Sequence, residues 1–470
     1  MSKKQWIQSL IGILIAFTSY GISAHYGLTE VICRTIGVSV LIAYLWITET
    51  ISIYLTSILP LILFPLLDIA GIDEISPKYM KDIIFLFIGG FLLAFGIEKV
   101  HLHQRIAYWF LIKAGNNAGR LLLSFMFISY FLSMWILNTA TTLLLIPPAL
   151  GIINEIKKQN PTSKFHLPIL LGIAYCASIG GITTVIGTAP NAYLFDFLKD
   201  NYPDVSMSFG GWTLHTLPIS LLMFLAVYTY FYFKFIRNKP MEIDAAYCKN
   251  AYQKLGPFSS GEKKVLVVFL LTVLLWFSKK HLGFIHPILP EMKDSWIALS
   301  MSFLLFFIRD VNKASSNILE WNDMSKIPLG VIFLFGAGFA INHVFETSGL
   351  MEVIGVTLQQ IELSNGFLLL SILIIFMVFF TEISSNTTST ILIIPLIALI
   401  VDHGNYTPIS WLLPICVSAS FAFMLPVATP PNTIIYGTEM ISIKEMMKHG
   451  FWVNLIGIAV LLGWIYFSGF

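Results

Sequence analysis

Charged residues are scarce in this sequence of 470 residues. Asp, Glu, Lys and Arg make up 11% of it, whereas a soluble globular domain carries about 25%. Hydrophobic residues account for 56%, and the mean hydropathy is +0.79. The composition therefore predicts an all-α, multi-pass integral membrane protein in contact with the lipid bilayer. The net charge of +2 gives no reason to expect a nucleic-acid partner.

Cysteine is also rare. The four cysteines lie far apart and form no CxxC pair, which excludes the usual metal-site spacings and a disulfide framework. The sequence has no HExxH motif, no Cys/His cluster and no close pair of acids at membrane depth. A membrane-embedded enzyme would need such a group. We therefore expect the protein not to be an enzyme.

Long apolar runs predict eleven membrane spans in two halves. The N-terminal half, 1–236, is separated from the C-terminal half, 264–470, by a polar segment at 237–263 that we interpret as a cytoplasmic linker. Lys3 and Lys4 precede the first apolar run, which we interpret as a retained span rather than a cleaved signal peptide. The predicted spans cover about 6–20, 31–48, 51–70, 83–98, 167–195, 213–236, 264–279, 296–308, 329–345, 411–437 and 451–469.

A basic amphipathic segment, 99–120, follows the fourth span. It is predicted to lie at the membrane interface, with His101 and His103 facing water or lipid headgroups.

Two further apolar stretches are interrupted by polar residues. Stretch 121–154 is broken at Asn138–Thr142 (NTATT) and stretch 366–401 at Thr381–Thr390 (TEISSNTTST). Polar groups without partners cost several kcal/mol in lipid, so these segments are buried in protein or line a wet cavity. We predict that each stretch is a re-entrant hairpin with a polar tip; the alternative is a set of small polar residues that pack helices together. With a cytoplasmic N-terminus, this topology places most Lys and Arg on the cytoplasmic side.

The two halves repeat each other at an offset of 248 residues. Ile84–Phe91 (IFLFIGGF) matches Ile332–Phe339 (IFLFGAGF), and Asn138 falls on Asn386. Because the predicted hairpins open to opposite sides, the halves form an inverted repeat, which is typical of secondary transporters.

A second pair of matching polar segments breaks spans 167–195 and 411–437. These segments are Gly187–Asn191 (GTAPN) and Ala428–Thr433 (ATPPNT), and their prolines cannot continue a helix. A simple kink is the alternative for either one alone.

The four polar segments offer ligands to both a cation and an anion. Carbonyl, hydroxyl and Asn oxygens suit a hard cation such as Na⁺, and helix N-termini suit an anionic group. No Lys, Arg or His lies in or immediately beside these segments, so a bound cation would supply the positive charge for an anion and couple the two ligands. Glu382 is the only acid in them, and we interpret it as structural, with cation ligation or proton acceptance as alternatives.

Nearly the whole chain resembles the divalent anion:sodium symporter family of di- and tricarboxylate carriers. The resemblance is carried by Trp46–Glu49 (WITE), the repeated IFLF segment, Leu132–Trp135 (LSMW), Ser385–Thr387 (SNT) and Phe423–Thr433 (FMLPVATPPNT). It implies an elevator-type homodimer in which the hairpins and broken helices form the mobile part. It also implies a bacterial inner-membrane location.

The resemblance further implies a small anionic substrate, either a C4 dicarboxylate (succinate, malate or fumarate) or citrate, with Na⁺ as the coupling ion. The implied substrate-binding residues are Asn138, Thr139, Thr188, Ser385, Asn386, Thr387, Thr429 and Pro430. One sodium ion would lie among Ser133, Asn138 and Gly187, and another among Thr381, Ser384, Asn386 and Ala428.

The first hairpin departs from the family pattern, because Leu137 replaces its leading serine and so deletes a hydroxyl beside the first cation site. We therefore expect one or two sodium ions. Sodium-coupled symport is the main hypothesis. Sodium-independent exchange of dicarboxylates is the alternative, and transport of sulfate or another divalent anion is a more remote one.

Overall fold

A computed structural model describes residues 3–115, 117–205, 207–237, 246–309, 317–358 and 365–468. The described residues form helices and connecting segments with no β-strand, and their only β-bridge joins Arg309 to Asn317. The predicted all-α class is therefore confirmed. Residues 238–245 of the predicted linker lie outside the described residues.

Helices of 4 to 26 residues follow one another along the described chain. The first twelve are α1 Lys3–His25, α2 Glu30–Thr48, α3 Ile53–Thr56, α4 Leu59–Leu66, α5 Ile72–Ile75, α6 Asp82–Lys99, α7 Leu102–Ala114, α8 Ala118–Ser133, α9 Asn138–Gln159, α10 His166–Gly181, α11 Ala189–Asn201 and α12 Phe209–Phe231. The others are α13 Ala246–Lys254, α14 Ser260–Ser278, α15 Asp294–Leu304, α16 Leu329–Thr347, α17 Leu350–Leu358, α18 Gly366–Phe380, α19 Asn386–His403, α20 Pro408–Ser418, α21 Pro430–Tyr436 and α22 Ile443–Ser468.

Nine helical segments within the described residues are long and apolar enough to cross a membrane, and five more apolar helices are shorter. The multi-pass membrane architecture is therefore confirmed. Helices α9 and α19, the second arms of the two predicted hairpins, are among the nine. Because length alone does not separate a re-entrant arm from a crossing one, re-entry stays a prediction. The predicted span at 296–308 is shorter than expected, since α15 has only 11 residues.

The helices cluster into two compact units. Unit 1 comprises Met1–Ile84, Asp196–Val205 and Pro328–Ala419, and unit 2 comprises Phe85–Phe195, Ser206–Ile327 and Ser420–Phe470. The predicted halves, 1–236 and 264–470, describe the sequence repeat and stay a prediction.

The helix boundaries reproduce the sequence repeat. Helices α9 and α19 begin at Asn138 and Asn386, which are 248 residues apart, and each follows a short break after the preceding helix. The two proline-containing breaks separate α10 from α11 and α20 from α21. Pro190 and Pro430 lie in the first turns of α11 and α21, where a helix does not need the N–H group that proline lacks.

The basic segment after the fourth span forms α7, but His103 does not face water. Its side chain is buried, and Nδ1 lies 3.2 Å from the Ile97 carbonyl oxygen. Burial lowers the pKa of His103 to about 4, so the ring is neutral at physiological pH. The prediction of a solvated or headgroup-facing His103 is therefore wrong, because α7 packs this face against protein.

Arg105 of α7 forms a buried ion pair with Glu262, also within unit 2. Its Nε atom donates to Glu262 Oε1 at 2.6 Å, and both side chains are less than 10% exposed. The guanidinium also donates to the carbonyl oxygens of Gly256 (3.0 Å) and Pro257 (3.1 Å). Arg105 therefore fastens α7 to the segment that precedes α14.

We expect Glu262→Gln to destabilise the protein strongly, because it leaves the Arg105 charge buried without a counter-ion. Breaking a buried pair in this way costs about 3–5 kcal/mol. The measurement is the apparent Tm of detergent-purified protein. The control, Glu155→Gln, removes an ion pair with Lys158. The Glu155 side chain is 44% exposed and that of Lys158 is 74% exposed, and such exposed pairs contribute at most about 1 kcal/mol. Equal Tm shifts in the two variants would contradict this expectation.

Candidate functional site

The tip of the first hairpin lies in unit 2, where α8 ends at Ser133 and α9 begins at Asn138. Ser133 Oγ lies 2.5 Å from one terminal atom of the Asn138 carboxamide, and the same atom lies 3.3 Å from Gly187 O and 3.2 Å from Ala177 O. The structure thus brings together Ser133, Asn138 and Gly187, the three residues predicted for the first cation. It adds the carbonyl of Ala177, which the sequence analysis did not identify.

This arrangement fits a hard cation. Hydroxyl, carbonyl and carboxamide oxygens are the ligands that such ions prefer. Without a cation, the Asn138 atom that faces two carbonyls must be its amide nitrogen, because carbonyl oxygens only accept hydrogen bonds. With a cation between them, the amide oxygen can face the same carbonyls. Among the described residues, no group of three or more His, Cys, Asp or Glu could hold a metal ion.

The tip of the second hairpin lies in unit 1 and repeats the contact between a hydroxyl and the tip asparagine. Thr381 Oγ1 is 2.8 Å from Asn386 Oδ1 and 2.8 Å from Ala419 O. Ser384 is buried, and its hydroxyl has no hydrogen-bond partner among the described residues. Three of the four residues predicted for the second cation, Thr381, Ser384 and Asn386, thus belong to unit 1, whereas Ala428 belongs to unit 2.

The two tips share a second hydrogen bond. Thr142 Oγ1 donates to Asn138 O at 2.8 Å, and Thr390 Oγ1 donates to Asn386 O at 2.9 Å. The sequence repeat is therefore also a repeat of side-chain contacts. Glu382, the one acid in these segments, is buried beside the second tip.

The residues at the N-cap positions of α9 and α19 make no side-chain hydrogen bond to the first turn of the helix that follows. Leu137 has φ −49° and ψ 136°, Ser385 has φ −62° and ψ 137°, and neither side chain accepts a capping hydrogen bond. Amides in the first turns of α9 and α19 therefore lack a side-chain cap at this position, and such groups bind anions readily.

The predicted substrate residues are distributed over both units. Unit 2 holds Asn138, Thr139, Thr188, Thr429 and Pro430, and unit 1 holds Ser385, Asn386 and Thr387. Within unit 2, α21 packs against α9 and α10, so the second proline break lies beside the first hairpin. Thr429 caps α21 by accepting a hydrogen bond from the Asn432 backbone N–H at 3.3 Å.

Two asparagines outside the predicted site bind the carbonyls of the proline breaks. Asn191 Nδ2 donates to Thr184 O at 2.7 Å, and Asn432 Nδ2 donates to Leu425 O at 3.0 Å. The sequence contained a signal for them, because each asparagine follows a proline at the same place in the matched segments GTAPN and ATPPN.

Helix α12 also supports the first proline break. Trp212 Nε1 donates to Ile182 O at 3.3 Å, and Thr216 Oγ1 donates to Thr183 O at 2.8 Å. No sequence pattern pointed to these residues, because their partners are backbone atoms about 30 positions away.

Comparisons with known proteins agree with this architecture. The family model described as the sodium:sulfate symporter transmembrane region matches residues 3–468. The chain is 38% identical over 445 residues to the sodium-dependent dicarboxylate transporter SdcS of Staphylococcus saprophyticus, covering 92% of this chain and 85% of that protein. It is 34% identical over 445 residues to SdcS of Staphylococcus aureus, with the same coverage.

Among solved structures, the YdaH transporter of Alcanivorax borkumensis aligns with a TM-score of 0.59 and 13% identity, over 85% of this chain and 89% of that chain. This likeness concerns the fold alone. The family match, in contrast, covers nearly the whole chain. The protein is therefore a multi-pass membrane transporter rather than an enzyme, and it belongs to the sodium:sulfate symporter family, the divalent anion:sodium symporters that its sequence resembles.

Proposed function

We propose that this protein is a Na⁺-coupled symporter of C4 dicarboxylates such as succinate, malate or fumarate, with citrate as the tricarboxylate alternative. The observation that carries the proposal is the pair of repeated hairpin tips, where Ser133 or Thr381 meets Asn138 or Asn386 beside a backbone carbonyl. Relatives described as sodium-dependent dicarboxylate transporters support the choice of ion and substrate.

The carboxamide of Asn138 offers a physical route to coupling. When a cation is bound among Ser133 Oγ, Ala177 O and Gly187 O, the carboxamide oxygen turns towards it and the nitrogen is left to donate to a substrate carboxylate. When the cation leaves, the nitrogen donates to the two carbonyls instead. The oxygen then faces the anion, which disfavours substrate binding, so each ligand strengthens the binding of the other.

The proposal extends to topology and movement. The helix pairs α8/α9 and α18/α19 act as re-entrant hairpins that enter from opposite sides of a bacterial inner membrane, with the N-terminus in the cytoplasm. The hairpins and broken helices move as an elevator in each protomer of a homodimer. This arrangement is supported by the helix boundaries and the hydrogen bonds within each hairpin tip, which recur in both halves of the sequence.

The test is uptake of labelled succinate by proteoliposomes with and without an inward Na⁺ gradient. The proposal expects concentrative uptake that requires the gradient and that unlabelled malate or fumarate inhibits. Uptake that ignores Na⁺ and requires internal dicarboxylate would establish the exchanger instead. Inhibition by sulfate but not by dicarboxylates would establish a different divalent anion as the substrate.

We expect Leu137→Ser to increase the apparent affinity for Na⁺. The backbone angles at Leu137 and Ser385 nearly coincide, so serine fits the first tip without rearrangement and adds a hydroxyl beside the first cation site. One additional hydrogen-bonding ligand is worth about 1 kcal/mol, or roughly a fivefold change. The measurement is the Na⁺ concentration that gives half-maximal succinate uptake. Leu143→Ser, at an exposed position on α9, is the control, and an equal response of both variants would argue against a ligand role for residue 137.

A further inference from the structure

The side-chain amide nitrogen of Asn191 bridges the first proline break, between α10 and α11. Asn191 lies in the first turn of α11, and Nδ2 donates to Gly181 O at 3.0 Å, Ile182 O at 3.0 Å and Thr184 O at 2.7 Å. These carbonyls lie at the C-terminal end of α10 and just beyond it, where the helix no longer supplies partners. The side chain is fully buried, with 0% of its surface exposed.

Asn432 makes the same connection across the second proline break. Its Nδ2 atom donates to Ala422 O and Leu425 O, both at 3.0 Å, and its side chain is also 0% exposed. The sequence separations of 10 and 7 residues are those between Asn191 and its partners Gly181 and Thr184. Two separate segments of the chain therefore make the same pair of side-chain hydrogen bonds to their preceding carbonyls.

Both asparagines act on the turns that carry the predicted cation residues. Gly187 N donates to Thr184 O at 3.3 Å, and Ala428 N donates to Leu425 O at 3.3 Å. Each of these carbonyls therefore accepts two hydrogen bonds, one from the backbone of a predicted cation residue and one from the asparagine four residues later. The asparagine consequently fixes the turn on which that residue sits.

The first break shows how such a contact reaches the cation site. A Cβ atom placed on Gly187 would lie 2.4 Å from Gly181 O, and one placed on Gly181 would lie 2.7 Å from the Asn138 carboxamide. Gly181 is therefore in close contact with both Gly187 and Asn138. By holding Gly181 O and Thr184 O, Asn191 determines where the Gly187 carbonyl points.

We infer that Asn191 is a positioning residue for Na⁺: its amide nitrogen holds the Thr184–Gly187 turn so that the Gly187 carbonyl is presented to the ion beside Ser133 and Asn138. The inference rests on the proposed function. Only the amide nitrogens of Asn191 and Asn432 make hydrogen bonds to these turns. Their Oδ1 atoms have no partner among the described residues. A side chain of similar volume without N–H groups therefore leaves the turns unsupported.

The experiment compares Asn191→Leu with the wild-type protein. The first readout is the rise in thermal stability of purified protein with increasing Na⁺, which reports ion binding without transport. The second is the KM for succinate uptake at saturating Na⁺. The matched control is Asn342→Leu, which removes a buried carboxamide that bonds Glu346 on its own helix, α16, in unit 1.

We expect the half-saturating Na⁺ concentration to rise about tenfold or more in Asn191→Leu, as for residues that orient metal ligands. The KM for succinate at saturating Na⁺ and the Na⁺ response of the control should stay close to wild type. Should this variant fail to fold, Asn191→Ser retains one donor and should give a smaller rise.

Folded variants that keep the wild-type half-saturation for Na⁺ would overturn the inference. So would an Asn191→Ser variant that loses thermal stability while its Na⁺ dependence is unchanged, because that result assigns a purely structural role. If the wild-type protein itself shows no stabilisation by Na⁺ and no Na⁺-dependent uptake, the proposed function fails instead. The two failures are therefore distinguishable.

Discussion

Asn386→Ala is expected to abolish succinate uptake while leaving a folded protein. The substitution removes a carboxamide oxygen, which lies 2.8 Å from Thr381 Oγ1 at the second tip, and the nitrogen proposed to bind a substrate carboxylate. The hydrogen bond to a charged carboxylate is worth about 1.5–3 kcal/mol and the one to the neutral Thr381 hydroxyl about 1 kcal/mol, so losing both lowers kcat/KM by about 100-fold or more. Alanine is the best helix former, so α19 should still begin at this position.

Asn138→Ala should have the same effect at the first tip, because Asn138 occupies the equivalent place in the repeat. The measurement is uptake of labelled succinate by proteoliposomes that contain equal amounts of monodisperse protein. Asn365→Ala is the control, since Asn365 caps the far end of the second hairpin by accepting from Leu368 N at 3.0 Å. Near-normal substrate affinity in either tip variant would refute the assignment of these asparagines.

Gly187→Ala is expected to abolish most Na⁺-dependent succinate uptake. A Cβ atom at this position would lie 2.4 Å from Gly181 O and 2.9 Å from Gly181 Cα, distances that backbone atoms do not tolerate. The turn must therefore shift by several tenths of an ångström. Because Gly187 O lies beside the Asn138 carboxamide, this shift displaces a proposed cation ligand.

Sodium-dependent uptake and Na⁺-dependent thermal stabilisation together test the Gly187 prediction. The control is Gly463→Ala in α22, where an added Cβ meets no described atom within 4 Å and where alanine favours the helix by about 1 kcal/mol. A Gly187→Ala variant that binds Na⁺ as tightly as the wild-type protein would show that the turn can relax without moving the ligand.

Much of the architecture follows from patterns that are local in sequence. Prolines and short polar segments within apolar stretches predict where helices stop, because lipid and apolar cores penalise unsatisfied polar groups. The break before Asn386 lies within the predicted polar segment, and the breaks around Gly187 and Ala428 overlap theirs. The first hairpin instead breaks at 134–137, just before the predicted Asn138–Thr142, which forms the first turns of α9. The match between the halves also paired the residues whose contacts the structure then repeats.

Residues whose role depends on a distant partner could not be recognised in this way. His103 and Arg105 look like water-facing residues of an amphipathic helix, yet Arg105 pairs with Glu262, 157 positions later. The carbonyls of Ala177 and Ala419 have no signature in the sequence, because every residue carries the same backbone group.

The sequence by itself determined the membrane class, the repeat, the helix breaks and the asparagines at the hairpin tips, since these depend on hydropathy and on proline and polar residues over short distances. Only the tertiary structure decided which carbonyls meet Asn138 and Thr381, and which breaks Asn191 and Asn432 hold together. The physical reason is that hydrogen bonds to backbone atoms depend on the path of the chain and not on the identity of the residue that accepts them.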